Sequence, residues 1–287
     1  MAAPFQGTID RADIVARIKN HPLSDDPVAR RRDFARLFLG DDTAIETAST
    51  VVLDGAGGTI VYFHGGGYAF GSPQTHWRLG QGLAERTGLR VVLPSYPLAP
   101  EQRWPAQLQA ALAAVDEQPE PLILAGDSAG GHLALVTALA CARRGRPLAG
   151  LILFAPNTDR TGRSQTRRRN NPIDPMVDDA GDQALARQCF GDRAPEDVQV
   201  SPLLDELALL PPLYIEAGRE EVLLDDSLLL ARACRQAGGT VTLHVQPDGL
   251  HMGQLWAPWW PVACASLERA AAFARSAVQA ADSLRPV

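Results

Sequence analysis

Ser128 lies at the centre of Gly126-Asp127-Ser128-Ala129-Gly130, a Gly-x-Ser-x-Gly pentapeptide. An apolar stretch, 121–125, runs into it as a strand, and an amphipathic stretch from Gly131 to Arg144 leaves it as a helix. A serine squeezed into a strand-to-helix turn has a strained backbone and a projecting hydroxyl, and only small neighbours fit around it. Gly126, Ala129, Gly130 and Gly131 supply them. The chemistry open to such a serine is nucleophilic attack, which needs a base within hydrogen-bond reach and an acid to orient that base. Upstream, the apolar run 59–63 ends in His64-Gly65-Gly66-Gly67-Tyr68. Three consecutive glycines turn the backbone sharply and leave N–H groups uncovered, where they can face a developing oxyanion. Two histidines stand well downstream of Ser128. His244 is inside the alternating stretch 241–245 and reads as a sheet residue; His251 follows in the loop 247–253, past the strand's carboxyl end, where a base belongs.

The elements that must position these groups alternate. Strands are expected at 59–63, 89–93, 121–125, 149–154, 212–217 and 240–245, and helices at about 75–87, 105–117, 130–144, 226–237 and 258–282. Strand-then-helix alternation gives an α/β fold with a mostly parallel central sheet and helices on both faces. Ligands of such sheets bind outside the carboxyl ends of the strands. Ser128, the glycine run, the segment after 212–217 and the His251 loop all fall there. Residues 156–210 interrupt the alternation with a polar, proline-punctuated insertion that holds one helix near 179–190. Two N-terminal helices, 8–20 and 26–39, have Thr8 and Asp25 or Asp26 as N-caps and Gly40 as a stop, and one or two edge strands are expected in 43–53. The division that follows is 1–42 as N-terminal helices and 43–287 as the catalytic domain, with an insertion at about 156–210.

A chain of 287 residues, 46% hydrophobic, is long enough for one such domain with a well-buried core. Its net charge of −6 is spread out, which gives no case for nucleic acid. No segment approaches the ~18 apolar residues of a membrane span, and Met1-Ala2-Ala3-Pro4-Phe5-Gln6 lacks the basic start and apolar run of a signal peptide. Cys141, Cys189, Cys234 and Cys264 show no metal-like spacing and read as reduced thiols of a cytoplasmic protein. The chemistry calls for no cofactor and no metal. The expected partner is a small molecule, and a homodimer is left open.

The two glycine motifs, the second extended by Gly131-His132, together with Tyr96-Pro97-Leu98-Ala99-Pro100-Glu101 and Ser201-Pro202-Leu203, resemble the hormone-sensitive-lipase family of carboxylesterases, the bacterial type IV esterases of the α/β-hydrolase fold. The resemblance runs from about Gly57 to the end, with Pro97 where the family usually has arginine. It implies that Gly66, Gly67 and Ala129 donate the oxyanion N–H groups, and that the insertion joins the N-terminal helices as a helical cap. The family's acid is an aspartate two residues after the glycine that ends its strand; counted from Gly218, that position is Glu220. Asp225 competes for the role, although it and Asp226 stand where a helix starts and read as N-caps. Glu221 is the third choice. His64 is expected to brace the oxyanion loop, and His132 to pack at the amino end of its helix. Asp127 belongs to the family pattern without a role legible in the sequence. Tyr68, Phe70, Trp77 and Trp256 are expected to line the substrate pocket; Trp259 and Trp260 suit the pocket or packing of the last helix. Arg167-Arg168-Arg169 reads as a solvated face, or as a guide for anionic substrate.

Together these features point to a serine hydrolase that cleaves carboxylic esters of small substrates through an acyl-enzyme, with Ser128, Glu220 and His251 as the triad and a preference for short acyl chains under a closed cap. The same residues would serve an N- or O-deacetylase of a peptide or secondary metabolite. A non-catalytic binding protein is the reading from another class, since the family includes receptors that have lost the histidine. Ser128 and His251 argue against it, and the displaced acid keeps it in play. Replacing Ser128 by alanine should abolish ester hydrolysis with the fold intact. A serine-directed phosphonate, followed by peptide mapping, should label wild type at Ser128 and leave the variant unlabelled; label on another serine refutes the assignment.

Overall fold

The computed structural model describes residues 5–40 and 49–283. Positions 1–4, part of the N-terminal stretch read above, and 43–48 of the expected edge-strand region lie outside them. In chain order the elements are α1 (Arg11–Asn20), α2 (Pro27–Leu39), β1 (Val51–Leu53), β2 (Thr59–Phe63), α3 (Pro73–Thr87), β3 (Arg90–Leu93), α4 (Ala106–Asp116), β4 (Leu122–Asp127), α5 (Ser128–Arg143), β5 (Gly150–Phe154), α6 (Thr166–Arg169), α7 (Asp179–Phe190), β6 (Leu213–Gly218), α8 (Leu224–Gln236), β7 (Val241–Gln246) and α9 (Pro261–Ser283). The sheet order is β1-β3-β2-β4-β5-β6-β7. β1 pairs antiparallel with β3, and every other pair is parallel.

The inner strands are buried on both faces, so they read as continuous apolar runs. Alternate residues go to opposite sides. Ile60, Tyr62, Ile123, Ala125, Ile152 and Phe154 pack with Leu79 and Leu83 of α3 and Leu267 and Ala274 of α9. Val61, Phe63, Leu122, Leu124, Leu151 and Leu153 pack with α4, α5 and α8 through Leu112, Leu135 and Leu230. α1 starts later than expected: Asp10, not Thr8, is its N-cap, and Asp10 and Asp13 bond each other's backbone N–H reciprocally at 3.0 Å. Asp26 caps α2 as expected.

The 156–210 stretch holds α6 and α7 and is tied to the start of α8 by buried carboxylates. Asp226 accepts from the N–H groups of Thr158 (2.8 Å) and Asp159 (3.0 Å) and from Arg167 (3.2 Å). Arg167 also reaches Asp182 of α7 at 2.7 Å and Asn157 at 2.9 Å. Arg160 forms a second ion pair with Asp182. The expected N-capping role of Asp225 and Asp226 is therefore corrected. Leu223 is the N-cap of α8, with no side-chain cap, and Asp225 accepts instead from Gln165 N (2.8 Å) and Thr166 N (3.0 Å) at the start of α6. The arginine run is corrected too: Arg168 and Arg169 are exposed, but Arg167 is buried among these acids. An arginine so placed is neither a solvated face nor a free guide for anions.

Among the described residues, no helix is long and apolar enough to cross a membrane. All four cysteines are free thiols. Burial pushes Cys141 up to about 11 and Cys189 and Cys234 up to about 12, which keeps these three protonated and unreactive near neutral pH.

Removing one partner of a buried ion pair strands the other charge away from water. Asp226→Ala should therefore cost about 3–5 kcal/mol of unfolding free energy, read from the denaturant midpoint. A loss below ~1 kcal/mol would mean that the existing partners Asp182, Asp179 and Asn157 suffice to hold the Arg167 charge.

Candidate active site

Ser128 is the first residue of α5 and has φ +53°, a left-handed conformation that a non-glycine residue adopts only under constraint. The constraint is crowding. A Cβ on Gly126 would overlap Gly130 O, and one on Gly130 would overlap Phe63 O and His64 O. The elbow thus presses directly on the end of β2 and the start of the oxyanion loop. Ala129 opens the first turn of α5, where backbone N–H groups have no intrahelical acceptor.

His251 is in the loop after β7 and is buried. Its Nδ1 lies 2.9 Å from Glu221 Oε2. The carboxylate can only accept there, so Nδ1 carries the proton and Nε2 is left with its lone pair. That Nε2 is buried without a hydrogen-bond partner among the described residues, in a cavity wall it shares with Ser128. A base awaiting a hydroxyl proton needs this arrangement, and such contacts commonly tighten only when substrate binds.

The acid beside His251 is Glu221, not Glu220 as expected. The chain reverses immediately after β6: Glu221 N donates to Gly218 O at 3.3 Å, and the Glu221 side chain accepts from Gly218 N. Arg219 and Glu220 form the tip of this turn and point outward, and Glu220 pairs with Arg11 of α1 at a partly exposed position. The residue after the tip swings back over the strand end. Asp225 is likewise away from His251, at α6. The loop is pinned from the insertion: Asn170 donates to Glu221 O at 2.8 Å and Asp174 accepts from Val222 N at 2.8 Å.

Burial works to lower the His251 pKa, but the Glu221 hydrogen bond and charge, with Asp174 and Asp127 behind them, outweigh it, and the net direction is upward. Burial raises Glu221 against the opposing pull of His251 and the Gly218 N–H. The other two histidines beside the motifs are poor bases. Burial above all lowers His64 and His132 to about 3. His64 stacks on Tyr96 at 4.2 Å between ring centroids and lies 2.8 Å from Gly65 O, which braces the glycine loop as expected. His132 sits 2.6 Å from the Tyr68 hydroxyl at the amino end of α5.

Gly66 and Gly67 have φ +116° and +60°, positions that favour glycine. The Gly66 carbonyl accepts from Ala69 N and Phe70 N, both at 3.0 Å, which turns it into the loop. The sequence reading gave no role to Asp127 and missed His76. Asp127 is buried and accepts from Gly65 N at 3.0 Å and Tyr62 Oη at 2.9 Å; His76 Nε2 lies 3.3 Å from it. Burial favours the neutral acid, but His76 and Tyr62 outweigh it and hold Asp127 below the usual carboxylate range. A histidine one turn into α3, facing the strand ends, is the signal that could have found it.

These groups meet at a cavity of about 510 Å³. Ser128, His251, Gly66 and Gly67 line its floor; Leu23, Arg30 and Phe34 come from the N-terminal helices and their connection, and Met176, Asp182 and Leu185 from the insertion. Of the four expected pocket aromatics, Phe70 lines this cavity. Tyr68 lines a recess of about 10 Å³ beside it, with Ala129, His132, Leu185 and Phe190. Trp256 and Trp77 are corrections. Trp256 is in the core, 4.7 Å from the Phe38 ring, and Trp77 stacks under Arg78 on α3. Trp259 and Trp260 are also core residues. Among the described residues, no group of three or more His, Cys, Asp or Glu side chains could hold a metal ion.

Residues 60–255 match the family described by the alpha/beta hydrolase fold. The chain is 36% identical over 230 residues to an acetyl-hydrolase of Streptomyces hygroscopicus, covering 77% of this chain and 76% of that one. It is 35% identical over 225 residues to an esterase of Acinetobacter venetianus, covering 76% and 74%. Among solved structures, an esterase of the bacterial hormone-sensitive lipase family superposes with a TM-score of 0.84 at 29% identity, over 93% of this chain and 97% of that one. A hormone-sensitive lipase from a metagenome library superposes with a TM-score of 0.85 at 26% identity, over 95% and 100%.

Glu221→Gln should keep the shape of the site and lose the charge behind His251. Turnover should fall by up to on the order of ten-thousand-fold, as for the corresponding change in serine proteases, while Glu220→Gln stays near wild type. The acid limb of kcat/KM should lie above the ~6.5 of free imidazole in wild type. Because the carboxylate raises the His251 pKa, the residual activity of Glu221→Gln should show that limb moved to lower pH. Equal losses in the two variants would reject Glu221 as the acid.

Proposed function

The chain belongs to the α/β-hydrolases, as a carboxylic ester hydrolase of the hormone-sensitive-lipase family, and we propose that it works through a Ser128–His251–Glu221 triad and an acyl-enzyme, on acetyl and other short acyl esters. The observation that carries this reading is the orientation of His251. Its Nδ1 is engaged by a buried carboxylate at 2.9 Å while its Nε2 stands unpartnered in the cavity wall beside Ser128.

In this mechanism His251 Nε2 takes the Ser128 proton as Oγ bonds to the acyl carbon. The carbonyl oxygen becomes the oxyanion, facing the N–H groups of Gly66, Gly67 and Ala129. Preorganised donors of this kind are usually the largest single contribution to the rate. Glu221 stabilises the imidazolium without taking its proton. His251 then protonates the alcohol oxygen as the C–O bond breaks. Water, deprotonated by the same Nε2, attacks the acyl carbon, and the acid product leaves with Ser128 restored. With Glu221 in place, the displaced acid no longer favours a non-catalytic reading.

The alcohol oxygen must meet His251, so the acyl group extends to the other side of the oxyanion, toward Gly67 and Ala129. The space there is the recess of about 10 Å³ under Leu185 and Phe190, room for about one water-sized group. The larger cavity is left for the alcohol. The N-terminal helices and the insertion act together as the cap over it. The acetyl-hydrolase relative supports the same substrate size, and a deacetylase role is the second form of this reading. A cytoplasmic site of action is part of the proposal.

A series of p-nitrophenyl esters from acetate to laurate, with one N-acetyl amide, tests it. The expected order of kcat/KM is a maximum at acetate and a steep fall beyond, and turnover of the amide would select the deacetylase form. Faster turnover of laurate than of acetate would reject the short-acyl reading.

A further inference from the structure

The elbow and the oxyanion loop come from different strands, β4 and β2, yet their donors must converge on one oxygen. Three features join them through a single carboxylate. Asp127, the residue before the nucleophile, accepts from Gly65 N, the residue before the oxyanion glycines, at 3.0 Å. Asp127 gives no cap to α5, although it occupies the N-cap position of that helix; its oxygens are taken by Gly65, Tyr62 and His76. It also packs so closely that a Cβ on Gly65 would overlap Asp127 Oδ2. Rotation of the Asp127 side chain would break its bond to Gly65 N.

His76 holds that side chain in place. It is fully buried on α3. Its Nε2 is 3.3 Å from Asp127 Oδ1 and 3.4 Å from Oδ2. Asp127 only accepts, so Nε2 carries the proton; Nε2 also lies 3.3 Å from Gly65 N, and Nδ1 lies 2.8 Å from Thr75 Oγ1 and 3.2 Å from Ser72 O. Thr75 in turn forms the reciprocal cap of α3 with Ser72, at 3.0 and 3.2 Å. The line of contacts runs from a helix start, through His76 and Asp127, to the Gly65 amide. Tyr62, from the middle of the sheet, holds the same carboxylate from a second direction at 2.9 Å.

We propose that His76 is a positioning residue for the oxyanion hole: with Tyr62 it clamps Asp127, and through Asp127 it sets the Gly65 peptide so that the Gly66 and Gly67 amides face the oxygen on Ser128. The inference rests on the esterase reading above for its kinetic consequences, and on geometry alone for its structural one. A clamp of this kind acts on the transition state. Misplacing a donor by about 1 Å costs up to about 100-fold in rate, with little effect on ground-state binding.

The test compares His76→Asn, His76→Gln and Tyr62→Phe with wild type. A glutamine amide reaches the position of Nε2, and an asparagine amide stops short of it. His76→Asn should lose about 10- to 100-fold in kcat with KM within about threefold of wild type, and His76→Gln should recover most of the loss. Tyr62→Phe, an isosteric change in the core, should show the same kcat-only loss on a smaller scale. Affinity for an aryl trifluoromethyl ketone should fall in parallel with kcat. In that adduct Ser128 Oγ bonds to the carbonyl carbon, its proton passes to His251, and the carbonyl oxygen becomes the anion in the hole. Hydrogen exchange of the 64–68 segment should accelerate in His76→Asn, a readout that needs no substrate and stands even if the ester reading fails. Unchanged exchange at 64–68, or equal kcat in the asparagine and glutamine variants, would overturn the proposal. If His76→Asn does not fold, Tyr62→Phe decides: wild-type kcat and wild-type exchange in that variant refute the clamp.

Discussion

A carboxylate buried beside an imidazole is stable only if it is paired and hydrogen-bonded, and the Glu221–His251 pair organises much of this molecule around that requirement. Glu221 takes one hydrogen bond from His251 and one from Gly218 N. The loop that carries it is held in turn by Asn170 and Asp174, both from the insertion. The insertion is held by Arg167, Asp182 and Asp226. The stretch that interrupts the sheet's alternation is therefore more than a wall of the cavity, because it also fixes Glu221, which in turn holds His251.

The fold was largely legible because its signals are local. Inner strands buried on both faces must be apolar throughout, and the helices between them carry their own caps and stops. α7 falls on the expected 179–190, and the inner strands shift by about one residue from expectation. Ser128 and His251 were legible for a related reason: each is the sole residue of its type at a position that strand order makes special. The glycine run was legible because the loop needs positive φ at Gly66 and Gly67.

What was not legible depended on turn geometry and on contacts far apart in sequence. Glu220 and Glu221 are chemically identical neighbours, and counting from Gly218 cannot say which faces inward. The 218–221 turn decides it by putting two residues at the tip and returning the third. Asp225 and Asp226 look like N-caps because they open a helix, yet both carboxylates serve residues about 60 positions away. Arg167 looks like its two neighbours in the run, and only the fold gives it three buried polar partners, Asn157, Asp182 and Asp226, beside the half-buried Asp179. The tryptophans misled because aromatic size suits a pocket and a core equally, and here the core took Trp256.

The N-terminal helices bear on the order in which the molecule assembles. Ile9 N donates to Trp259 O at 3.0 Å, the Phe5 ring sits edge-on to Trp256 and Trp259, and Arg31 bonds Ala69 O and Ala99 O. Residues 5–39 thus pack against elements up to about 250 positions later, and the cavity takes one wall from each. Contacts this distant in sequence close late, since their loop entropy must be met before they form. On a ribosome, the segment made first must wait, with Phe34 and Phe38 uncovered, until the strands and the last loop have emerged. The cavity is then a property of the whole folded assembly of these elements, and a nascent or nicked molecule would carry the elbow without the cavity above it.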